Sequence, residues 1–193
     1  MEALATDKLG AMTSILWRRI DRTSYERCTL DDTAAGHRLA GTVLLVEDRA
    51  PHEIRYTVVT DATWRPITVG INVQGGANDR TLALSGDGEG TWSVGDAPVL
   101  ELYGATDVDF GFTPGTNTLP IKRLGLEVGE SAQITAIRID FPERGIEKVT
   151  QVYERLAERR YRYRSGEYSV DLTVNEHGLV TAYPAGWTTE AEG

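Results

Sequence analysis

Between positions 67 and 73 the chain alternates strictly: Ile67, Val69, Ile71 and Val73 are aliphatic, and Thr68, Gly70 and Asn72 between them are small or polar. A period of two puts the four aliphatics on one face of a strand, where a helix would scatter them around its axis. The same alternation recurs at Ile54, Tyr56 and Val58, at Leu82 and Leu84, at Val108, Phe110 and Phe112, and at Tyr168, Val170, Leu172 and Val174. Turn-forming clusters separate these runs: QGGAND at 74–79, SGDGEG at 85–90, VGDAP at 94–98, PGTN at 114–117 and NEHG at 175–178. Strand runs at intervals of roughly 8 to 12 residues point to an antiparallel sandwich or barrel of about a dozen strands. Parallel pairs would need much longer connections.

One segment resists this reading. Ile146, Val149, Val152, Tyr153 and Leu156 fall at three- and four-residue steps among charged residues, as on an amphipathic helix. The segment nevertheless runs into RRYRYRSG, where Arg160, Arg162 and Arg164 alternate with Tyr161 and Tyr163 as in a strand. Periodicity alone leaves helix and strand both open here.

The formal charge of -9 makes the surface repel phosphate backbones and anionic bilayers, so nucleic acid is not an expected partner. Cys28 is the only cysteine, and three scattered histidines (His37, His52, His177) supply no zinc ligand set, which favours a reducing compartment and no metal. No nucleophile motif accompanies these residues. The first sixteen residues lack a basic start and an apolar run, and no stretch reaches the ~18 apolar residues of a membrane span, so a cytoplasmic, non-embedded protein is expected. The first strand-like run follows Met12, and residues 1–12 are expected to be an extension ahead of the domain, with 189–193 a tail behind it.

The densest collection of polar chemistry is DVDFGFTPGTNTLPIKRL at 107–124. Asp107 and Asp109 lie two apart on one strand face, about 6 to 7 Å from each other. They could hold a cation or a polyhydroxyl ligand, or form ion pairs with Lys122 or Arg123. Pro114-Gly115 suits the centre of a type II turn. Thr116, Asn117 and Thr118 either satisfy the local backbone or face a polar ligand. Pro120 cannot donate to a ladder, so TLPIKRL is expected on a sheet edge, in a bulge or at a strand start, with Leu119, Ile121 and Arg123 on one face. Trp17, Trp64, Trp92 and Trp187 are read as core residues, or as walls for an amphipathic ligand.

These motifs, together with QVY at 151–153, Tyr161 to Tyr163, HGLVTAYPAGW at 177–187, Trp17, the Tyr56 strand leading to Asp61 and Trp64, and GEGTW at 88–92, resemble the bacterial family described as "putative glycolipid-binding", earlier classed as a domain of unknown function. The resemblance covers residues 13–188. It implies a single all-β domain whose many antiparallel strands curl into a barrel or half-barrel, similar to bacterial lipoprotein and lipid carriers. It also implies that QVY lies in a strand, with 150–156 pairing to 160–165 around a turn at 157–159. No catalytic residues and no cofactor come with it.

The combined expectation is a non-enzymatic protein holding an amphipathic small molecule, of glycolipid type, in a barrel cavity. Asp107, Asp109, Thr116, Asn117 and Arg123 are the expected polar mouth, and Gln151, Tyr153 and Trp64 the expected lining. The alternative is a structural or partner-binding domain with a filled interior, and a third reading is a hydrolase or isomerase acting through Asp107 or Asp109. Oligomeric state is left open.

Overall fold

A computed structural model describes residues 12–75, 79–141, 145–184 and 186–193. The chain runs through β1 (Met12–Arg19), β2 (Ser24–Thr33), β3 (Gly36–Glu47), β4 (Ala50–Asp61), β5 (Pro66–Gly75), β6 (Arg80–Gly86), β7 (Trp92–Val94) and β8 (Ala97–Pro98). After β9 (Asp107–Phe110) comes a short helix, α1 (Thr118–Leu124). The remaining strands are β10 (Ser131–Asp140), β11 (Gly145–Ala157), β12 (Arg160–Ser165), β13 (Tyr168–Val174), β14 (Val180–Tyr183) and β15 (Trp187–Glu192). All fifteen form one sheet in the order β8-β7-β6-β5-β4-β3-β2-β1-β15-β14-β13-β12-β11-β10-β9. The end strands β8 and β9 do not pair with each other, so the sheet is an open half-barrel.

The sheet curls far enough for its two ends to meet through side chains. Tyr56 of β4 lies ten places from β9 in that order, yet its ring packs edge-on against Phe110 at 5.5 Å. Near the gap, the Trp92 indole donates to the Ala105 carbonyl at 2.7 Å and the Gly104 amide donates to Gly90 at 2.8 Å. The alternating aliphatics behave as expected, with Val69, Ile71 and Val73 of β5 buried. β11 is a strand, as the family resemblance implies: Gln151 pairs with Ser165 and Tyr153 with Tyr163 across the β11–β12 hairpin. Its helix-like spacing arises because the outer face of β11 also carries aliphatics, including the exposed Ile146.

Every ladder is antiparallel except β9 with β10, which run parallel with Asp107 opposite Ala136. Parallel neighbours need a long crossover, and residues 111–130 supply it. This corrects the expected edge strand or bulge at TLPIKRL and the expected type II turn at Pro114-Gly115. Pro114 sits at φ -80, ψ -11, Gly115–Asn117 form a 3-10 turn, and Thr118–Leu124 is α1. Pro120 fits because it lies in the first helical turn, where amide hydrogens have no intrahelical acceptor to lose. Gly125, left-handed at φ 54, ends the helix, and Lys122 and Arg123 sit in its last turn, where the helix dipole favours cations. Helical spacing separates Leu119, Ile121 and Arg123, yet both aliphatics are buried because the helix is enclosed by the sheet.

The polar residues of this segment serve the backbone. The Thr116 hydroxyl accepts from the Phe110 amide, Asn117 Nδ2 donates to Pro114, and the Thr118 hydroxyl donates to Gly178. The expected C-terminal tail is also corrected: β15 reaches Glu192, pairs with β1 and aligns Glu192 with Ile15. Met12 opens β1, while residues 1–11 and the tip of the QGGAND turn lie outside the described residues.

Leu119, completely buried at the centre of the crossover, makes the packing testable. Leu119→Ala is expected to cost about 2 to 5 kcal/mol in urea unfolding, whereas the same truncation of the exposed Leu100 changes stability by less than ~0.5 kcal/mol.

A polar, aromatic-walled cleft beside the crossover

The crossover covers only part of the inner face of β9–β12, and the uncovered part is a cleft of about 480 Å³. Asp109, Arg138, Tyr163 and Ser165 form one wall, Arg19, Tyr168, Tyr183 and Trp187 the other, and Thr113 and Asn117 lie at the crossover end. Strand register accounts for the first wall, since Asp109 stands beside Arg138 across the parallel ladder and Tyr153 beside Tyr163 across the hairpin.

Asp109 is the most elaborately held group in the cleft. Its Oδ2 accepts from Gln151 Nε2 at 2.7 Å and from the Tyr163 hydroxyl and Arg138 Nη1, both at 3.4 Å. Its Oδ1 makes no hydrogen bond to the described residues. Burial pushes the Asp109 pKa up, and Arg138 and Gln151 only partly offset this. Gln151 Nε2 also lies 2.9 Å from the Tyr163 hydroxyl, and the Tyr153 hydroxyl donates to Asn117 Oδ1 at 2.8 Å. On the far wall, Arg19 stacks over Trp187 at 4.6 Å, and Tyr183 meets Trp187 edge-on.

Four expected site residues therefore converge: Asp109 and Asn117 line the cleft, and Gln151 and Tyr153 hold them in place. Four lie elsewhere. Asp107, fully buried, receives Arg123 Nε on Oδ1 at 3.0 Å and Nη2 on Oδ2 at 2.6 Å, with the Thr106 hydroxyl also on Oδ2. That two-pronged ion pair ties α1 to β9, so Asp107 and Asp109 share a face but not a task. Thr116 is sealed beneath the crossover. Trp64 stacks on His37 with ring centroids 3.6 Å apart, under the Lys122 ammonium, and does not line the cleft. Its φ of 68 is rare for a bulky residue.

Behind Thr113 lies a fully buried cluster that sequence reasoning missed. Glu26 Oε1 accepts from the hydroxyls of Tyr56 at 2.5 Å and Thr113 at 2.7 Å, while Oε2 is buried with no hydrogen-bond partner among the described residues. Loss of hydration pushes the Glu26 pKa up to about 8, although both hydroxyls pull it back. Two glycines make room for Tyr56: a Cβ on Gly41 would lie 2.5 Å from its ring, and one on Gly115 would lie 2.8 Å from its hydroxyl. The signal in the sequence is Ser24, Glu26, Cys28 and Leu30, an alternating face with an acid in it. Arg138, between Ala136 and Asp140 on the inner face of β10, is a similar signal.

A family model described as "Putative glycolipid-binding" matches residues 14–189. The chain belongs to this putative glycolipid-binding family. A crystal structure of a DUF1089 family protein from Pseudomonas aeruginosa is 29% identical, with a TM-score of 0.77, and the match covers 95% of this chain and 96% of that one. A beta-barrel-like protein of the DUF1849 domain of unknown function from Brucella abortus is 10% identical with a TM-score of 0.52, over 95% and 97% of the two chains, and shares the fold alone. No curated protein matches. Among the described residues of this family member there is no cluster of potential metal ligands, and no helix is long and apolar enough to cross a membrane.

Two predictions follow the charges. Glu26 keeps its proton in the folded chain up to about 8 but loses it near 4.5 when unfolded. The folded state then holds the extra proton between those values, and stability falls as pH rises through that window. Glu26→Gln, neutral throughout, is expected to melt with the wild type at pH 4 and well above it at pH 9, a difference of up to ~5 kcal/mol; parallel melting curves at both pH values would contradict it. Arg123→Leu strands the buried Asp107 and is expected to cost about 3 to 5 kcal/mol in urea unfolding, with Asp107→Leu added in the same chain recovering part of the loss.

Proposed function

We propose that this protein is a non-enzymatic, cytoplasmic binder of an amphipathic small molecule of glycolipid type, whose polyhydroxyl headgroup occupies the cleft. The observation that carries this reading is Asp109: one carboxylate oxygen is fixed by Gln151, Tyr163 and Arg138, and the other has no partner within the described residues. An oriented carboxylate with a free oxygen is an acceptor for sugar hydroxyls. Trp187, Tyr168 and Tyr183 add flat apolar faces with hydrogen-bonding tips, suited to the mixed surface of a sugar ring. The family description supports the same ligand class. Three donors on Oδ2 hold the Asp109 carboxylate in place, which suits it to recognise a hydroxyl-bearing ligand. The acidic surface argues against nucleic acid as the ligand, and the single, buried thiol of Cys28 is compatible with a reducing compartment.

The crossover favours a second reading, a structural or partner-binding domain, because it fills the half-barrel with its own side chains. Native mass spectrometry of protein purified from a bacterial host separates the two. A stoichiometric adduct that releases a sugar-bearing lipid, and that Asp109→Asn reduces about 10- to 100-fold while the fold persists, is the expected result. A bare chain mass, with no binding to a glycolipid panel, would favour the structural reading.

A further inference from the structure

The alternation in RRYRYRSG turns Tyr161 to the inner face of β12, and strand register sets it opposite Arg155 of β11. Tyr161 is only 6% exposed, yet its hydroxyl has no hydrogen-bond partner among the described residues. Tyrosines buried to this extent normally pair their hydroxyls. This one lines a pocket of about 360 Å³, where the end of α1 meets the β11–β12 hairpin and the turn between β13 and β14.

The other donors around this pocket are cations. Lys122 Nζ donates to the Glu176 carbonyl at 3.2 Å, and Arg155 donates through Nη1 to the Leu126 carbonyl and through Nη2 to the Glu158 carbonyl, both at 2.7 Å. These contacts join three turns, but all go to neutral oxygens, and neither cation makes an ion pair with the described residues. Arg155 Nε is also buried with no hydrogen-bond partner among them. The two acids of the lining, Glu158 and Glu176, are exposed, and Glu176 is taken up by Arg159 at 3.5 Å. Burial holds the Lys122 pKa below its usual range, and only the Asp32 carboxylate acts against it. Lys122 reaches this position because residue 178 is glycine: a Cβ there would lie 2.8 Å from its Cε.

We propose that this pocket is a phosphate-binding site, in which a phosphoryl group accepts from Lys122 Nζ, from a guanidinium N–H of Arg155 and from the Tyr161 hydroxyl, with Arg159 at the mouth. Two cations without counter-charges draw in an anion that the rest of this acidic chain repels. Donors arriving from three separate elements, α1, β11 and β12, suit an ion with acceptor oxygens on every side better than a planar carboxylate. No residue lines both this pocket and the Asp109 cleft, so the site stands independently of the headgroup reading.

The test titrates inorganic phosphate, glycerol phosphate and acetate into the full chain at constant ionic strength, read by calorimetry and by indole ¹H–¹⁵N spectra. The Trp64 ring lies 5.8 Å from Lys122 Nζ, so phosphate is expected to shift the Trp64 resonance saturably and leave Trp187 unmoved. Acetate is expected to bind at least ~10-fold more weakly. Lys122→Met, which keeps an unbranched stem over Gly178, is expected to weaken phosphate binding at least ~10-fold, and Tyr161→Phe about 3- to 10-fold. Because the Tyr161 hydroxyl has no partner among the described residues, Tyr161→Phe is expected to melt with the wild type in chloride and below it in phosphate. A hydroxyl that served only the fold would lower both melting temperatures.

Tighter binding of glycerol phosphate than of phosphate would assign the site to the phosphoryl end of a larger molecule, and exclusion of the ester would assign it to the free ion; either supports the proposal. No saturable binding of either phosphate, acetate binding as tightly as phosphate, or phosphate binding that both variants leave unchanged would overturn it. Should Lys122→Met not fold, Tyr161→Phe alone decides.

Discussion

Two parallel strands cannot be joined by a tight turn, and in this fold that constraint falls on β9 and β10. The connection between them has to leave the sheet and return, and here it passes through the inside of the half-barrel. Residues that would be loop in a purely antiparallel meander become part of the core: Phe112, Leu119 and Ile121 are buried, and Phe112 meets Tyr56 of β4 edge-on. The Asp107–Arg123 ion pair fixes the helix end of this insertion, and the buried cluster of Glu26, Tyr56 and Thr113 fixes its start.

Because the interior is occupied, any ligand space is displaced to the surface that the crossover leaves bare. The cleft at Asp109 is a margin of that insertion, with Gly111, Thr113 and Asn117 in its lining. Two aspartates only two residues apart in sequence thus end in different roles. Asp107 is spent on holding the fold together, and Asp109 keeps one oxygen without a partner among the described residues. A buried ion pair of this kind is a weak source of net stability but fixes geometry, since removing either partner leaves an unpaired charge in the core.

Much of this architecture is legible in the residues. Alternation at Val69, Ile71 and Val73 gives both the strand and its buried face, and glycine-rich clusters place most of the turns. The crossover is legible only in part. Pro120 reads as a ladder breaker, and it takes the pairing of that proline with Gly125 five residues on to recognise a short helix with a permitted proline and a left-handed stop. The residues 146–156 mislead for the opposite reason, because aliphatics on both faces of β11 imitate a helical repeat. Of the site, Asp109, Asn117, Gln151 and Tyr153 stand out as polar groups in a distinctive motif. Arg138, Trp187 and Glu26 do not, since each becomes significant only when the curl of the sheet decides which face is inside. Trp64 misleads as an aromatic at a strand end: its ring is taken up by His37 and Lys122.

The central claim is that the polar cleft, and not the barrel interior, receives the ligand. The four tryptophans report on this directly, because Trp17 and Trp92 are deep in the core with their indole hydrogens bonded to Val180 and Ala105, Trp64 packs against His37, and Trp187 alone lines the cleft. An indole ¹H–¹⁵N spectrum recorded during titration with the sugar-bearing lipid, or with a soluble glycoside of its headgroup, reads all four at once. The account predicts a saturable shift of the Trp187 resonance with Trp17, Trp64 and Trp92 unmoved. A saturable shift of Trp17 or Trp92 without Trp187 would place the ligand inside the barrel and contradict it.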